Sequence, residues 1–288
     1  MSEHTRFGPA GVPPMFRALG ATTVDTPRLL YEEELDAFEY QAVRWGPRPQ
    51  INETDARKLG EESRKNDVHL SMHGSYFINL VGKHDVVEAS KRRMIACATG
   101  AEWMGANVMV FHPGFYGKFE KDYVLKTCIQ TLREVRSEMD SLGLRVKLGP
   151  ETMGRKFQVG TLDEIIAINR EVEGTQLVVD WGHLHALHQG AFKTVEDIRK
   201  IASKVEDELG TQILRSMHCH FSAIEFSNQG EKRHHPLDEG FGPDFRLLAE
   251  VILDFGMHPT LICESPILDV DARKMKTTLQ QVQSERKR

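Results

Sequence analysis

Short apolar runs, bounded by glycine, proline and polar turns, alternate with longer amphipathic segments along this chain. Runs rich in β-branched or aromatic residues between turn signals predict strands, and apolar positions at three- and four-residue spacing predict helices. The clearest strand is Val108–Phe111, entered from Gly105 and left through Pro113-Gly114, with His112 at its C-terminal tip. Comparable runs begin at Arg6, Leu35, Val68, Arg145, Thr175, Ser216 and Thr260. Between them the pattern predicts a short helix over 29–34, one over 53–66 capped by Asn52 or Thr54, and one over 86–104. Further helices are expected over 123–141 with a stop at Gly143, over 162–172 capped by Thr161, and from Thr194 to Leu209. A helix over 244–255 and a closing helix from Ala272 complete the series, while 222–242 reads as a polar loop.

Eight strand candidates thus alternate with helices, their starts roughly 30–40 residues apart, the size of a βα unit. No low-complexity linker interrupts them. The simplest architecture is a single α/β domain over residues 1–288, a (β/α)₈ TIM barrel. A doubly wound open sheet is the alternative, but its nucleotide-binding forms gain no support. Neither G-x-G-x-x-G nor G-x-x-x-x-G-K-[ST] follows any strand.

Composition narrows the function classes. No apolar run is long enough for a membrane span, and the N-terminus lacks the apolar core of a secretory signal. The four cysteines form no C-x-x-C pair, which suits a reducing compartment, so a cytoplasmic protein is expected, associated with the nucleoid in a prokaryotic cell. A net charge of -5 does not advertise a nucleic-acid binder, although bound divalent cations would supply positive charge locally.

The polar tips carry the chemistry. Strand-like runs end in His73, His112, Glu151, Asp180 (with His183 just beyond), His220 and Glu264. In a barrel the inward residues alternate along each strand and active sites form at the C-terminal ends. Val108, Val110 and His112 share one face, as do Val178 and Asp180, and Ile262 and Glu264. His218 and His220 also share a face, and His220 is preferred as nearer the tip. Strand five is awkward, because Glu151 shares parity with Lys147 and would send a lysine inward unless Gly149-Pro150 kinks. Any one such residue is usually structural or solvated, and His69, His84, His185, His188, His235 and His258 are read that way. Several together at one barrel end exceed the needs of one ion. Zinc takes such nitrogen and oxygen donors, manganese accepts similar ones, and two or three ions could share bridging carboxylates.

Taken in order, His73-Gly-Ser-Tyr76-Phe-Ile-Asn-Leu, Phe111-His112-Pro-Gly, Glu151-Thr, Asp180-Trp-Gly-His183, His220-Phe-Ser, Arg233-His234-His235 and Ile262-Cys-Glu264-Ser-Pro resemble the endonuclease IV family of apurinic/apyrimidinic endonucleases. The resemblance implies a (β/α)₈ barrel holding three zinc ions. It implies that His73, His112 and Glu151 hold one ion, and that Glu151 bridges to a second held also by Asp180, His220 and Glu264. His183 and His234 would hold a third. Tyr76 resembles the family's tyrosine that helps open DNA at the abasic site, and Arg44 is a looser candidate for the same task. The implied reaction is hydrolysis of the phosphodiester 5′ to an abasic site in double-stranded DNA, by a metal-activated hydroxide that Glu151 helps orient or deprotonate. The enzyme is expected to act as a monomer in base excision repair.

Two departures mark a divergent branch. Where the family has an Asp two residues before the histidine matched to His234, this chain has Lys232, and Glu231 would have to substitute after a loop shift. The family's His-Leu-Asn-Asp on strand seven is here His220-Phe-Ser-Ala, which removes groups that commonly orient metal ligands. Two rivals remain open. Glu151, Asp180, His220 and Glu264 alone resemble the one-metal set of a sugar isomerase or epimerase on the same barrel, with Lys147 as a proton carrier. A binding protein that kept the fold without catalysis is the other.

Overall fold

The computed structural model describes residues 4–288. In chain order its elements begin with β1 (Arg6–Pro9), α1 (Pro14–Ala18), α2 (Thr26–Glu32), β2 (Ala37–Gln41), α3 (Glu53–Lys65), β3 (His69–His73), α4 (His84–Met104) and β4 (Val108–Phe111). There follow α5 (Lys121–Ser141), β5 (Lys147–Pro150), α6 (Leu162–Glu171), β6 (Val178–Asp180), α7 (Trp181–Leu187), α8 (Val195–Leu209), α9 (Thr211–Arg215) and β7 (His218–Phe221). The chain closes with β8 (Ala223–Ser227), β9 (Gly230–His235), α10 (Phe245–Asp254), β10 (Thr260–Cys263) and α11 (Asp269–Glu285).

All the barrel strands are parallel. One run of neighbours is β2-β3-β4-β5 and another is β1-β10-β7-β6. Single bridges, Ala10 to Glu39 on one side and Glu151 to Val178 and Leu148 to Thr175 on the other, join the two runs into a closed (β/α)₈ barrel. Helices start where their first turns are satisfied. Asn52 accepts the backbone N–H of Asp55, and Thr161 and Glu164 form a reciprocal capping box.

Two kinds of core result. Residues such as Met72, Phe111, Leu148, Cys219 and Leu261 point outward from the strands into the layer beneath the helices. Val108, Val110 and Val178 form a separate small cluster inside the lumen. That separation follows the period-2 alternation of the strands. Gly149 fits between them, since a Cβ there would stand 2.6 Å from Val108 Cγ2 and 2.9 Å from Val178 Cγ2. The lumen layer next to these valines is polar and holds Glu39, Ser71, His218 and His220, all buried.

Two expectations need correction, and one element was not foreseen. The segment 222–242 is not all loop: β8 and β9 pair as an antiparallel hairpin. Beyond Asp180 the chain forms the short helix α7, capped when Asp180 Oδ1 accepts the N–H of His183 at 2.6 Å. Lys147 needs no kink to avoid the C-terminal end of the barrel. It lies at the start of β5 and lines a cavity at the N-terminal mouth with Arg6, His69 and His258.

Candidate metal centre

Six strand ends and two later segments bring the polar tips together around Glu151, which is fully buried. Its two oxygens face different partners. Glu151 Oε2 lies 3.4 Å from His73 Nε2 and 3.1 Å from His112 Nε2. Glu151 Oε1 lies 3.0 Å from His220 Nδ1 and 3.4 Å from His183 Nδ1. His220 Nδ1 is also 3.3 Å from Glu264 Oε1. Glu151 thus presents one oxygen to each of two donor groups.

Local hydrogen bonds aim the rings. His73 Nδ1 bonds the Gly74 carbonyl at 3.0 Å, which leaves Nε2 toward Glu151. His183 Nδ1 bonds the Thr152 carbonyl at 2.9 Å, which leaves Nε2 toward Glu231, 3.6 Å away. Fixing one imidazole nitrogen to a carbonyl sets the tautomer of a metal-ligating histidine. Thr152 Oγ1 also receives the N–H of Asp180 at 2.9 Å, tying the tips of β5 and β6 together.

The donors fall into three overlapping groups whose ligand atoms lie within 4.8 Å of one another: His73, His112 and Glu151; Glu151, Asp180, His220 and Glu264; and His183, His234 and Glu264. Donors on one zinc ion, each at about 2.0–2.2 Å, lie no more than about 4.4 Å apart, so a small contraction suffices. Of the nine buried side-chain atoms without a hydrogen-bond partner among the described residues, three lie here: His73 Nε2, Glu151 Oε2 and Asp180 Oδ2. Leaving one such atom unpaired costs about 1–3 kcal/mol. Three that converge on one region fit a centre that takes cations.

The third group gains a residue the sequence pattern did not secure. Glu231 lies 3.6 Å from His183 Nε2 and 3.7 Å from His234 Nε2, with the Arg155 guanidinium 3.5 Å away. Lys232 points elsewhere and pairs with Glu225. The cause is a register shift in the hairpin. Phe226 pairs with Glu231 and Glu225 pairs with Arg233, so Lys232 is the extra residue of a β-bulge. In a regular strand, residues three apart face opposite ways; the extra residue turns Glu231 to the side of His234. Gly230, at φ +98°, seats the hairpin, since a Cβ there would stand 2.0 Å from the Gly154 carbonyl oxygen. The N–H of Glu231 donates to that carbonyl at 2.9 Å.

Charge distribution follows the same geometry. Burial opposes ionisation of Glu151, but His220, His112 and His183 outweigh it and hold its carboxyl well below the usual range. Burial likewise disfavours the charged form of His220 and His183. Glu39, Glu264 and Glu151 around the first, and Asp180, Glu151 and Glu231 around the second, raise both well above the ordinary histidine value. Glu264 is raised, by burial first and then by neighbouring carboxylates working against His220.

Tyr76 stands at the rim, 51% exposed, its ring stacked on His112 at 5.2 Å between centroids and edge-on to His73. Its N–H donates to the carbonyl of Val43, so the loop carrying the exposed Arg44 lies beside it. Phe115 and Phe157, also exposed, stack on each other at 6.1 Å. Of the histidines read as structural, His185 packs against Phe192 and Phe226, and His235 bonds Glu239 at 2.8 Å. Sequence reading passed over Glu39 and set His218 aside. Both are buried beneath the tips, and the one signal for Glu39 was a carboxylate in mid-strand between Phe38 and Tyr40.

Comparison with known proteins places these features. A family profile described as a xylose isomerase-like TIM barrel matches residues 27–283. The uncharacterised protein MJ0133 of Methanocaldococcus jannaschii is 34% identical over 271 residues, covering 92% of this chain and 93% of that protein. Among solved structures, endonuclease IV from Thermus thermophilus superposes with a TM-score of 0.64 at 19% identity, covering 90% of this chain and 94% of that one. A D-tagatose 3-epimerase-like protein superposes with a TM-score of 0.63 at 18% identity, again covering 90% and 94%. At these identities the two superpositions speak for the fold alone.

Proposed function

Because the chain belongs to the xylose isomerase-like TIM barrel family, we propose that it is a metal-dependent endonuclease that cuts DNA on the 5′ side of abasic sites. The observation that carries this reading is the surplus of donors. Glu151, Asp180, His220 and Glu264 would hold one ion, as an epimerase requires. Here His73 and His112 also meet the second oxygen of Glu151, and His183, Glu231 and His234 gather alongside. A multi-ion set suits phosphoryl displacement, in which the attacking and the leaving oxygen both need charge stabilisation.

His73, His112 and Glu151 would hold the first ion, Glu151, Asp180, His220 and Glu264 the second, and His183, His234 and Glu231 the third. Zinc is expected, and manganese suits the same donors. Such ions, when bound, lower the pKa of a water toward about 7 and stabilise the departing 3′ oxygen. Glu151, held ionised by its histidine neighbours, is the candidate catalytic residue and orients the attacking water. Tyr76 and Arg44 occupy the rim where an abasic nucleotide would turn out of the duplex. The exposed Phe115–Phe157 pair offers a face on which a base can stack whatever its sequence.

A sugar epimerase is the second reading, favoured by the four-donor group around Glu151. Its lysine finds no place at this end, since Lys147 lines the opposite mouth. The deciding experiment gives the purified protein, with zinc or manganese, a duplex oligonucleotide carrying one abasic analogue. A nick leaving a 3′-hydroxyl, lost in Glu151→Gln, is expected. An intact duplex together with a single metal equivalent would favour the epimerase.

A further inference from the structure

One layer below the tips, the lumen holds a second constellation of donors. Glu39 Oε2 lies 3.1 Å from His220 Nε2, 3.1 Å from His218 Nε2 and 2.9 Å from Ser71 Oγ. Glu39 Oε1 accepts from Gln41 Nε2 at 3.2 Å. Glu39 and His220 are completely buried. The other nitrogen of His220, Nδ1, is the one that faces Glu151 and Glu264.

We propose that Glu39 is a positioning residue for the metal centre, acting through His220. The inference rests on the metal-centre reading of the tips. Glu39 accepts the N–H of His220 Nε2, which keeps the proton on that nitrogen and presents the lone pair of Nδ1 to the second ion. A carboxylate behind a ligating imidazole fixes its tautomer and orientation and raises its basicity. His220-Phe-Ser-Ala follows the ligand with small or apolar side chains. The orienting group comes instead from β2, on the far side of the lumen.

Glu39, His218 and His220 could also be read as a metal site of their own, because their ligand atoms lie within 4.8 Å of one another. Hydrogen bonding decides between the two. Both oxygens of Glu39 have donors, three on Oε2 and one on Oε1. Among the described residues no buried atom of Glu39, Ser71, His218 or His220 lacks a partner, whereas His73, Glu151 and Asp180 at the tips each have one that does. An ion at Glu39 would also require His220 to bridge two cations with no proton on either nitrogen. The constellation is therefore a filled hydrogen-bond network, and the bond from His220 to Glu39 is the one that steadies the ligand.

The test measures metal rather than turnover. Zinc affinity is read by chelator competition, and the cobalt-substituted protein by its visible absorption, for wild type, Glu39→Gln, Ser71→Ala and His218→Gln. Glu39→Gln is expected to weaken one equivalent by roughly 10–100-fold and to change the cobalt bands. Ser71→Ala and His218→Gln, which leave the Glu39–His220 bond in place, should stay within about threefold by the same reasoning. Should Glu39→Gln fail to fold, nitrogen NMR of metal-loaded wild type reads the tautomer directly. A proton on His220 Nε2 supports the proposal and one on Nδ1 overturns it. Unchanged affinity and spectrum in Glu39→Gln would also overturn it. So would an additional zinc equivalent lost alike in Glu39→Gln and His218→Gln. Weaker metal binding in Glu39→Gln without any DNA nicking by wild type would sustain the positioning role and sink the nuclease reading. Nicking with unaltered metal affinity in Glu39→Gln would do the reverse.

Discussion

At the N-terminal mouth of the barrel, a cavity of about 660 Å³ is lined by Arg6, Asp67, His69, Lys147 and His258. At the C-terminal mouth, a second polar set converges on the fully buried Glu151. At the first mouth Arg6 donates to Asp67 at 3.0 Å and approaches Asp36 at 3.8 Å. At the second, buried nitrogen and oxygen atoms converge and three of them lack partners. Room is therefore a poor guide to chemistry in this molecule. What marks the working end is a concentration of unmet hydrogen-bonding capacity, and in barrels of this kind that end is where loops and strand tips carry function.

The sharpest way to break the contrast is Glu151→Gln, which removes the carboxylate shared by two donor groups. Nicking should fall on the order of 10³-fold or more, since several kcal/mol of charge stabilisation is lost, and elemental analysis should show fewer metal equivalents. Full activity in that variant would dissolve the proposed centre. Deleting Lys232 tests the hairpin end. Without the bulged residue Glu231 returns to the opposite face, and loss of one metal equivalent is expected, with activity down roughly 10–100-fold. Retention of every equivalent would show that Glu231 is not a ligand.

Acidity sharpens the contrast next. In metal-stripped protein His183 and His220 hold protons above their ordinary value of 6.5, so metal uptake must release them. Affinity should rise with pH, by up to about tenfold per unit for each proton displaced. Stability of the stripped protein should run the other way. The raised histidines contribute fully below 6.5 and lose their contribution as pH climbs through their folded values. Glu151 and Glu39, both lowered, contribute above 4.5 and lose their contribution as pH falls through theirs. Below 6.5 the lowered histidines His69, His112, His185 and His218 work against the raised ones, and above it only the raised ones still change, so the stripped protein should gain no stability between about pH 6.5 and 8. A melting temperature that keeps climbing to pH 8 in chelator would contradict this.

Two smaller effects complete the series. Gly149→Ala forces a methyl group against Val108 and Val178 and should cost about 1–3 kcal/mol in denaturant titration. Lys147→Met, at the opposite mouth, should change nicking and metal content by less than about twofold, as surface substitutions away from a site usually do. A large loss there would return the lysine to the mechanism and favour the epimerase.

Much of this was legible before any coordinates. Period-2 alternation put Val108, Val110 and Val178 in the lumen, and the ends of the same runs supplied the tips. The registry of parallel strands then carries each tip to the same mouth. What escaped notice were residues whose roles depend on contacts distant in the chain. Glu39 sits in the middle of its strand, and only barrel closure sets it against a histidine 181 positions later. Lys147 shares the parity of Glu151, but parity cannot say at which end of the strand a side chain emerges. Glu231 was legible only as a substitute that needed a loop shift, because the bulge that supplies the shift sits beside the docking of Gly230 on Gly154, a tertiary contact with no local signature.

The bulge at Lys232 has a bearing on kinship as well as on chemistry. One inserted residue brings a carboxylate to the side of His234 while displacing it by a position in the text of the sequence. Two homologues can then hold the same ion with residues that never fall in one column when their sequences are laid side by side. A search keyed to fixed intervals would discard such a chain as having lost its ligand, where a comparison of interatomic distances would keep it.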